Sequence, residues 1–274
     1  MFVVITGSTR GIGRGLATEF LRRGHSVLIS GRDDAKIRAV VGELKAEFPG
    51  FQSHGYRCDV TLEADVQALW HEAVRLFGTV DVWINNAGTN NPKQRIDAIP
   101  LTAVHSTLNT NLNGTVNGSV VALRGMLAQG AGWIYNMEGF GSDGMIGLEQ
   151  IPYGLSKCGV RYFTKALVKS VEGTGVKVGY LQPGIVTTQM AVPPKEQRGD
   201  FFATNMKILN ILADHVETVT PWLVDRIITA RKNGSAFRWM NLPKAAGRFA
   251  MAPFRSRHVI EEAMQQRDAE NVDA

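Results

Sequence analysis

Tyr153 and Lys157 stand four residues apart at the end of the stretch YNMEGFGSDGMIGLEQIPYGLSK, residues 135 to 157. On a helix, that spacing puts both side chains on one face, one turn apart. A free phenol, with a pKa of about 10, holds its proton well at neutral pH. An ammonium beside it favours the tyrosinate and brings the phenol towards the working range, so the pair reads as a general acid with its tuner. A third polar group usually serves such a pair. Asn136-Met137-Glu138-Gly139 offers no hydroxyl at the first place to look, and Ser142 comes a few residues late.

A second cluster lies at the other end of the chain. Thr6, Gly7, Ser8, Thr9, Arg10, Gly11, Ile12 and Gly13 follow the apolar run Val3-Val4-Ile5 and open the next helical pattern. Glycines there let the backbone turn tightly and approach a pyrophosphate, which can sit on free N–H groups at the positive end of the helix dipole. Inside a strand–loop–helix unit this is a dinucleotide-binding pattern. The next strand ends Leu28-Ile29-Ser30-Gly31-Arg32, and Arg32 is its first charge. A guanidinium at that place, with Arg10 close by in the glycine loop, would pair with a 2′-phosphate and selects NADP(H). Asp33 and Asp34 follow at once and leave NAD as the alternative.

The elements that must position these residues alternate steadily. Strands are expected at 3–5, 26–30, 53–58, 80–84, 132–136 and 176–181, and helices at 12–23, 34–48, 62–77, 102–128, 153–172 and near 217–232. The helix at 102–128 is interrupted by Gly114 and Gly118. Such alternation implies an α/β fold, a doubly wound parallel sheet with ligands at the carboxyl ends of its strands. We expect a single NADP-binding domain over 1–274, with 186–215 as a substrate lid and 231–274 as a basic C-terminal extension. Met190, Phe201, Phe202, Met206, Ile208 and Leu209 give the lid an apolar face.

Composition narrows the setting. Hydrophobic strand residues begin at position 2 and no apolar run reaches membrane-spanning length, so a soluble cytoplasmic protein without a leader or transmembrane segment is expected. Cys58 and Cys158 are too few for a disulfide framework or a zinc site, and no metal is expected. Cys158, beside Lys157, reads as a small buried helix residue, or else as a thiolate stabilised by that lysine. The net charge of +5 is uneven: residues 231–260 carry seven basic residues and no acid, interleaved with aromatics. That surface fits core and subunit packing with a solvated arginine fringe, or else peripheral contact with anionic lipid or a partner. No recognition motif accompanies the charge, so nucleic acid is not expected as a partner.

Taken together these motifs resemble the short-chain dehydrogenase/reductase family. TGSTRGIG is similar to its glycine loop, Asp59-Val60 to its adenine-contacting pair, and Asn85-Asn86-Ala87-Gly88 to the motif after its fourth strand. Asn111 in NTNLNG, Tyr153 and Lys157 in YGLSK, and Pro183, Gly184, Val186 and Thr188 in PGIVTT resemble further family positions. The resemblance implies a Rossmann fold in which Tyr153 protonates a substrate carbonyl while NADPH delivers hydride to its carbon. Lys157 then tunes the phenol, and Asn111 holds a relay water against that lysine. It also implies a homodimer or homotetramer built on the long helices.

Family members usually carry a serine three residues after the asparagine that ends the fifth strand, and here that position is Gly139. The expectation is that the loop folds back so that Ser142 supplies the hydroxyl. NMEGFGSDG, with WINNAGTN, LQPGIVTTQM and the C-terminal FRWMNLPKAAGRFAMAPFRSRH, is most similar to the chlorophyll(ide) b reductase branch. The branch shares the displaced serine and implies reduction of a formyl group on a tetrapyrrole. The alternatives are a carbonyl reductase of another hydrophobic substrate, or a protein that senses NADP without turning it over.

Overall fold

Val3, Val4 and Ile5 are fully buried because β1 (Phe2–Ile5) lies mid-sheet with helices on both faces. The structure, a computed structural model, describes residues 1–91, 93–192 and 200–270, without side chains at 200–203 and 269–270. Seven parallel strands run in the order β3-β2-β1-β4-β5-β6-β7, with β2 at Ser26–Gly31, β3 at Ser53–Arg57, β4 at Val82–Asn85, β5 at Gly132–Met137, β6 at Val176–Gln182 and β7 at Ala236–Arg238. The order reverses between β1 and β4, which opens a crevice at the carboxyl ends of those strands, where ligands of such sheets bind.

Each face of the sheet buries its own apolar cluster. One packs α1 (Gly11–Arg22) and α8 (Val216–Thr229) against Val3, Ile5, Val27 and Ile29. The other packs α3 (Glu63–Phe77), α5 (Gly114–Gln129) and α6 (Ile151–Ser170) against Val4, Leu28, Trp83 and Ile134. α2 (Asp34–Glu47) covers the β2–β3 edge.

The expected helix over 102–128 is divided: α4 (Leu101–Leu108), a π-helical turn over Asn109–Asn113, and then α5. Its glycines are points of close approach. A Cβ at Gly114 would lie 2.6 Å from Val60 and one at Gly118 2.0 Å from Asn85 Oδ1, so side chains there would push α5 off the sheet.

Residues beyond 231 do more than extend the chain. β7 adds an edge strand to β6, and α9 (Leu242–Met251) and α10 (Val259–Glu270) follow it, while α7 (Asp200–Leu212) lies within the segment expected as a lid. Met206 and Leu209 of α7 pack with Val192, Ala213, Val259 and Ile260 in a small separate core, so these two residues of the expected lid face serve internal packing. Met190 and Ile208 are exposed, and the side chains of Phe201 and Phe202, like residues 193–199, lie outside the described residues.

Candidate active site

The glycine loop is built as a close-fitting cradle. Gly7 has φ +61, and a Cβ there would meet Ala87 Cα at 2.7 Å. Asn86 closes the loop from the β4 side: its amide donates to Thr6 O and Gly7 O, both at 2.9 Å, while Thr6 Oγ1 accepts from the Asn86 and Ala87 N–H groups. Gly11 lies against Thr188, where a Cβ would be 3.2 Å from Cγ2, so the PGIVTT segment borders the same cradle. The first turn of α1 carries no acidic residue, and its leading N–H groups have no intrahelical partner. Narrow backbone, unopposed positive dipole and absence of carboxylate fit a pyrophosphate.

Not every residue of the loop is free for a ligand. Ser8 is fully buried, donating to Ile5 O at 2.6 Å and accepting from Ser30 N at 2.9 Å, so its hydroxyl ties the ends of β1 and β2 together. Thr9 packs over Gly31, Ile12 belongs to the core below, and Gly13 gives way to the Asn86 amide. The Arg10 side chain donates to Gln189 Oε1 of the lid segment.

At the end of β2, Arg32 is exposed and without an ion-pair partner among the described residues. Asp33 is already engaged as the N-cap of α2, accepting from Ala35 N at 3.0 Å and Lys36 N at 3.1 Å. Those amides, the Lys36 amide foremost, hold its carboxyl below the usual range. Asp59 accepts from both the amide and the hydroxyl of Thr61, and Val60 packs on α5 while its carbonyl accepts from Asn117.

β4 and β5 end side by side, with Asn85 in register with Asn136. Asn85 donates to Asn136 Oδ1 at 2.8 Å and to Ser119 Oγ at 2.9 Å, and Asn136 donates to Thr164 Oγ1 at 3.0 Å. Every member is buried, so the network locks two strand ends to α5 and α6 where the chain turns into the site.

α6 presents Tyr153 and Lys157 to that end of the sheet. Asn111, fully buried in the π-turn, accepts from Thr89 N at 2.8 Å and donates to Thr89 O at 2.9 Å and to Ser156 Oγ at 3.1 Å. Ser156 in turn donates to Tyr153 O at 2.6 Å, and Asn91 accepts from Tyr153 N at 3.2 Å. The first turn of α6 is thus braced from the chain after β4. Asn91 was not singled out from the sequence; its position after the Asn85-Asn86-Ala87-Gly88 motif was the available signal. Gly88 stands beside Asn111, with a Cβ position 3.3 Å from Oδ1.

Lys157 is buried, and its Nζ donates to Met137 O at 2.9 Å and lies 5.8 Å from the Tyr153 ring centre. Burial lowers the Lys157 amine to about 8, with Glu138 acting in the opposite direction. Burial also raises the Tyr153 phenol to about 12. The expected depression of Tyr153 by its lysine is therefore absent from this geometry, because the amine is turned to the Met137 carbonyl and desolvation dominates.

The loop after β5 answers the question about the serine. The Gly139 N–H donates to Ser142 Oγ at 3.0 Å and the Ser142 N–H donates to Gly139 O at 3.1 Å, so the loop folds back on itself and buries Ser142. Gly141, at φ +89, lets this loop rest on α6: a Cβ there would lie 2.6 Å from Gly154 Cα. A Cβ at Gly139 would lie 2.4 Å from Tyr153 Oη and 3.3 Å from Lys157 Cγ. The position where the serine was first sought is thus against the phenol, and the serine hydroxyl bonded to its backbone amide is that of Ser142. Cys158, expected to be buried, is exposed, since α6 turns 153, 156, 157 and 160 inward; Cys58 is buried, which pushes its thiol up to about 12.

The segment expected as a lid is held from the C-terminal side. Val186 bridges to Asp214, and Asp214 accepts two bonds from Arg248 at 2.8 Å, one from Arg257 at 2.9 Å and one from Trp239 Nε1 at 2.6 Å. Pro183 is buried and Gly184 has φ +76 beside Met240. Two of the basic residues in the tail are therefore internal fasteners.

Comparison with known proteins agrees with this geometry. The chain is 32% identical over 258 residues to the probable chloroplastic chlorophyll(ide) b reductase NYC1 of Arabidopsis thaliana, covering 88% of this chain but only 51% of that protein, so it spans about half that relative's length. It is 34% identical to the chloroplastic chlorophyll(ide) b reductase NOL of Arabidopsis thaliana, over 95% of this chain and 77% of that one. Among solved structures, a variant of actinorhodin polyketide ketoreductase with NADPH superposes with a TM-score of 0.78 at 27% identity, over 87% of this chain and 95% of that one. Levodione reductase, at 22% identity and a TM-score of 0.79 over 89% and 98% of the two chains, shares the fold. The short chain dehydrogenase family profile matches residues 1–199. With its crevice, glycine cradle and Tyr153–Lys157 pair, the chain belongs to the short-chain dehydrogenases, oxidoreductases that use a nicotinamide dinucleotide.

Proposed function

We propose that the protein is an NADPH-dependent reductase of an aldehyde or ketone on a bulky apolar substrate, with the C7 formyl group of chlorophyll(ide) b as the first substrate to test. The observation that carries this reading is the convergence at Gly139. The Tyr153 hydroxyl lies 2.4 Å from the site of its missing Cβ, and the Ser142 hydroxyl is bonded to its amide. Two O–H groups flanking one bare backbone position suit a carbonyl oxygen that must accept two hydrogen bonds.

When bound, the dinucleotide supplies hydride to the carbonyl carbon. Tyr153, whose raised pKa keeps it protonated across the physiological range, gives its proton to the oxygen as negative charge develops there. Lys157, charged below about pH 8, stabilises the resulting phenolate. Ser142 keeps its own O–H for the carbonyl, since its oxygen already accepts from Gly139. Asn111 and Asn91 hold the first turn of α6 so that the phenol stays aimed.

The preference for NADPH rests on Arg32 and Asp33. A carboxylate that already caps α2 is a poor acceptor for ribose hydroxyls, whereas an exposed guanidinium without an ion-pair partner among the described residues offers a 2′-phosphate a bidentate contact. The apolar substrate class is supported by the exposed Phe140, Met145, Ile146 and Leu148 of the loop that leads into α6 and by the exposed Ile151 at the start of that helix. The similarity to chlorophyll(ide) b reductases points the same way. Exposed Leu101, Leu155 and Tyr162 on α4 and α6 fit a homodimer or homotetramer, which light scattering would measure and a monomer would refute.

The test is NADPH oxidation by the purified protein with chlorophyllide b beside simple aldehydes and ketones, products being identified by chromatography. A 7-hydroxymethyl product supports the full reading. Turnover of only the simple carbonyls retains the mechanism and removes the pigment. In Tyr153→Phe, turnover should vanish while NADPH binding persists; surviving turnover refutes the assignment of the acid.

A further inference from the structure

Glu138 follows the last residue of β5 and carries a carboxylate whose side chain is 1% exposed. Neither of its oxygens has a hydrogen-bond donor among the described residues. Buried carboxylates are costly, and an unsatisfied one in a folded core calls for a reason. Its nearest cation is Arg161, at 3.6 Å, whose Nη1 is itself buried without a hydrogen-bond partner. Tyr153, Lys157 and Arg161 lie at four-residue intervals along one face of α6. Lys157 donates to the carbonyl of Met137, the residue bonded directly to Glu138, so the ammonium is anchored one peptide unit from Glu138 although the described ion pair of that carboxylate is with Arg161.

We infer that Glu138 is a positioning residue for the Tyr153–Lys157 pair: a buried counter-charge, shared with Arg161, that keeps the Lys157 ammonium protonated. This rests on the reductase reading only for its effect on turnover; the effect on Lys157 holds in the free protein. Glu138 makes and breaks no bond in the reaction.

On Lys157 the electrostatic effect of Glu138 has the expected direction, whereas on Glu138 itself burial works against the charged form. Burial pulls the Lys157 amine down to about 8 and Glu138 is the group that opposes it. Burial raises the Glu138 carboxyl, against the pull of Arg161 and Lys157 on α6 and Arg238 on β7, while Asp143 in the following loop raises it further. Tyr180 on β6 also feels both Glu138 and Arg161. Asn111, the expected anchor of a relay, has its side chain committed to Thr89 and Ser156, and its carbonyl accepts from Thr115. Asn111 carries no charge, and Glu138 is the acid that acts on Lys157.

The isosteric Glu138→Gln removes the charge and keeps the volume. Lys157 is followed directly by NMR of lysine-labelled, ligand-free protein, its signal assigned by its loss in Lys157→Met, and kcat/KM for carbonyl reduction is measured against pH. We expect the Lys157 pKa to fall by about one unit in Glu138→Gln, the size of a single nearby charge, and to recover in Glu138→Asp. The alkaline limb of the rate profile should move with it. NADPH binding reports that the variants are folded. An unmoved Lys157 signal in a folded Glu138→Gln overturns the inference even if stability drops, since a purely structural ion pair would cost stability alone. A parent protein that reduces no carbonyl, while Lys157 still shifts, defeats the reductase reading and supports the coupling.

Discussion

Restoring the serine that the family usually carries should damage this enzyme. In Gly139→Ser the new Cβ starts 2.4 Å from Tyr153 Oη and 3.2 Å from Cζ, well inside van der Waals contact. The phenol oxygen is the end of a side chain, so the ring can yield without unfolding the domain, and the stability cost should be only about 1 kcal/mol. The yielding is what harms catalysis, because the oxygen must retreat by roughly 1 Å, and a displacement of that order costs about 100-fold in rate. NADPH oxidation should therefore fall about 100-fold in kcat/KM, or about 2.7 kcal/mol, with NADPH affinity unchanged by fluorescence titration. Gly139→Ala should be equally slow, because the clash comes from Cβ. Ser142→Ala should also lose activity, through loss of a hydroxyl and without a clash. A Gly139→Ser protein as active as the parent, or one that rescues Ser142→Ala, would refute the argument that the hydroxyl has moved to 142 and the phenol has taken its place.

Three further outcomes follow from the same geometry. Arg32→Ala should raise KM for NADPH by about tenfold or more with little effect on NADH, as expected for a lost charge-assisted contact; equal losses with both would remove the 2′-phosphate assignment. Carbonyl reduction should decline as pH rises through about 8, because the Lys157 pKa is lowered to that value and the charged form is lost above it while Tyr153 is still protonated. A flat profile to pH 10 would contradict this. Asp214→Ala strips Arg248 and Arg257 of their shared carboxylate, and urea unfolding should show a loss of about 3–5 kcal/mol, as for a buried ion pair deprived of one partner; a loss under 1 kcal/mol would mean that the clasp is dispensable.

Much of the architecture was legible because the periodic signals were strong. Runs such as VVI, SVLIS and VDVWI are buried on both sides and cannot be placed except as inner strands. β7 was missed because Ala236 and Arg238, both exposed, and the half-buried Phe237 show no such run; only pairing with β6 makes them a strand. The division at Asn109–Asn113 was also hidden, since sequence marks a glycine without saying whether it breaks a helix or lets it approach a neighbour. In the site, Tyr153, Lys157 and the glycine loop could be named from spacing. Glu138 and Asp214 could not, although each left a trace: an acid at the end of a buried strand, and a tail whose arginines have no acids of their own between 231 and 260.

The division of labour around α6 explains why one part of the site follows the family pattern and another departs from it. The acid and its lysine sit on a long helix whose first turn is tied by Asn91 at an amide, and by Asn111 through Ser156 at a carbonyl. Asn91 also donates to Glu149 O at 3.3 Å, so the end of the β5–α6 loop next to α6 is braced as well, while these ties do not reach its stretch from 140 to 148. That loop can therefore change length, composition and the position of its hydroxyl without moving the phenol, provided that the backbone at 139 stays bare and the fold-back from Gly139 to Ser142 forms. Its outer residues, with Ile146 83% and Leu148 72% exposed, form the apolar surface that the proposed function assigns to substrate. On the proposed reading, substitutions at 145–148 should alter KM and substrate choice well before they alter the pH dependence of the chemistry.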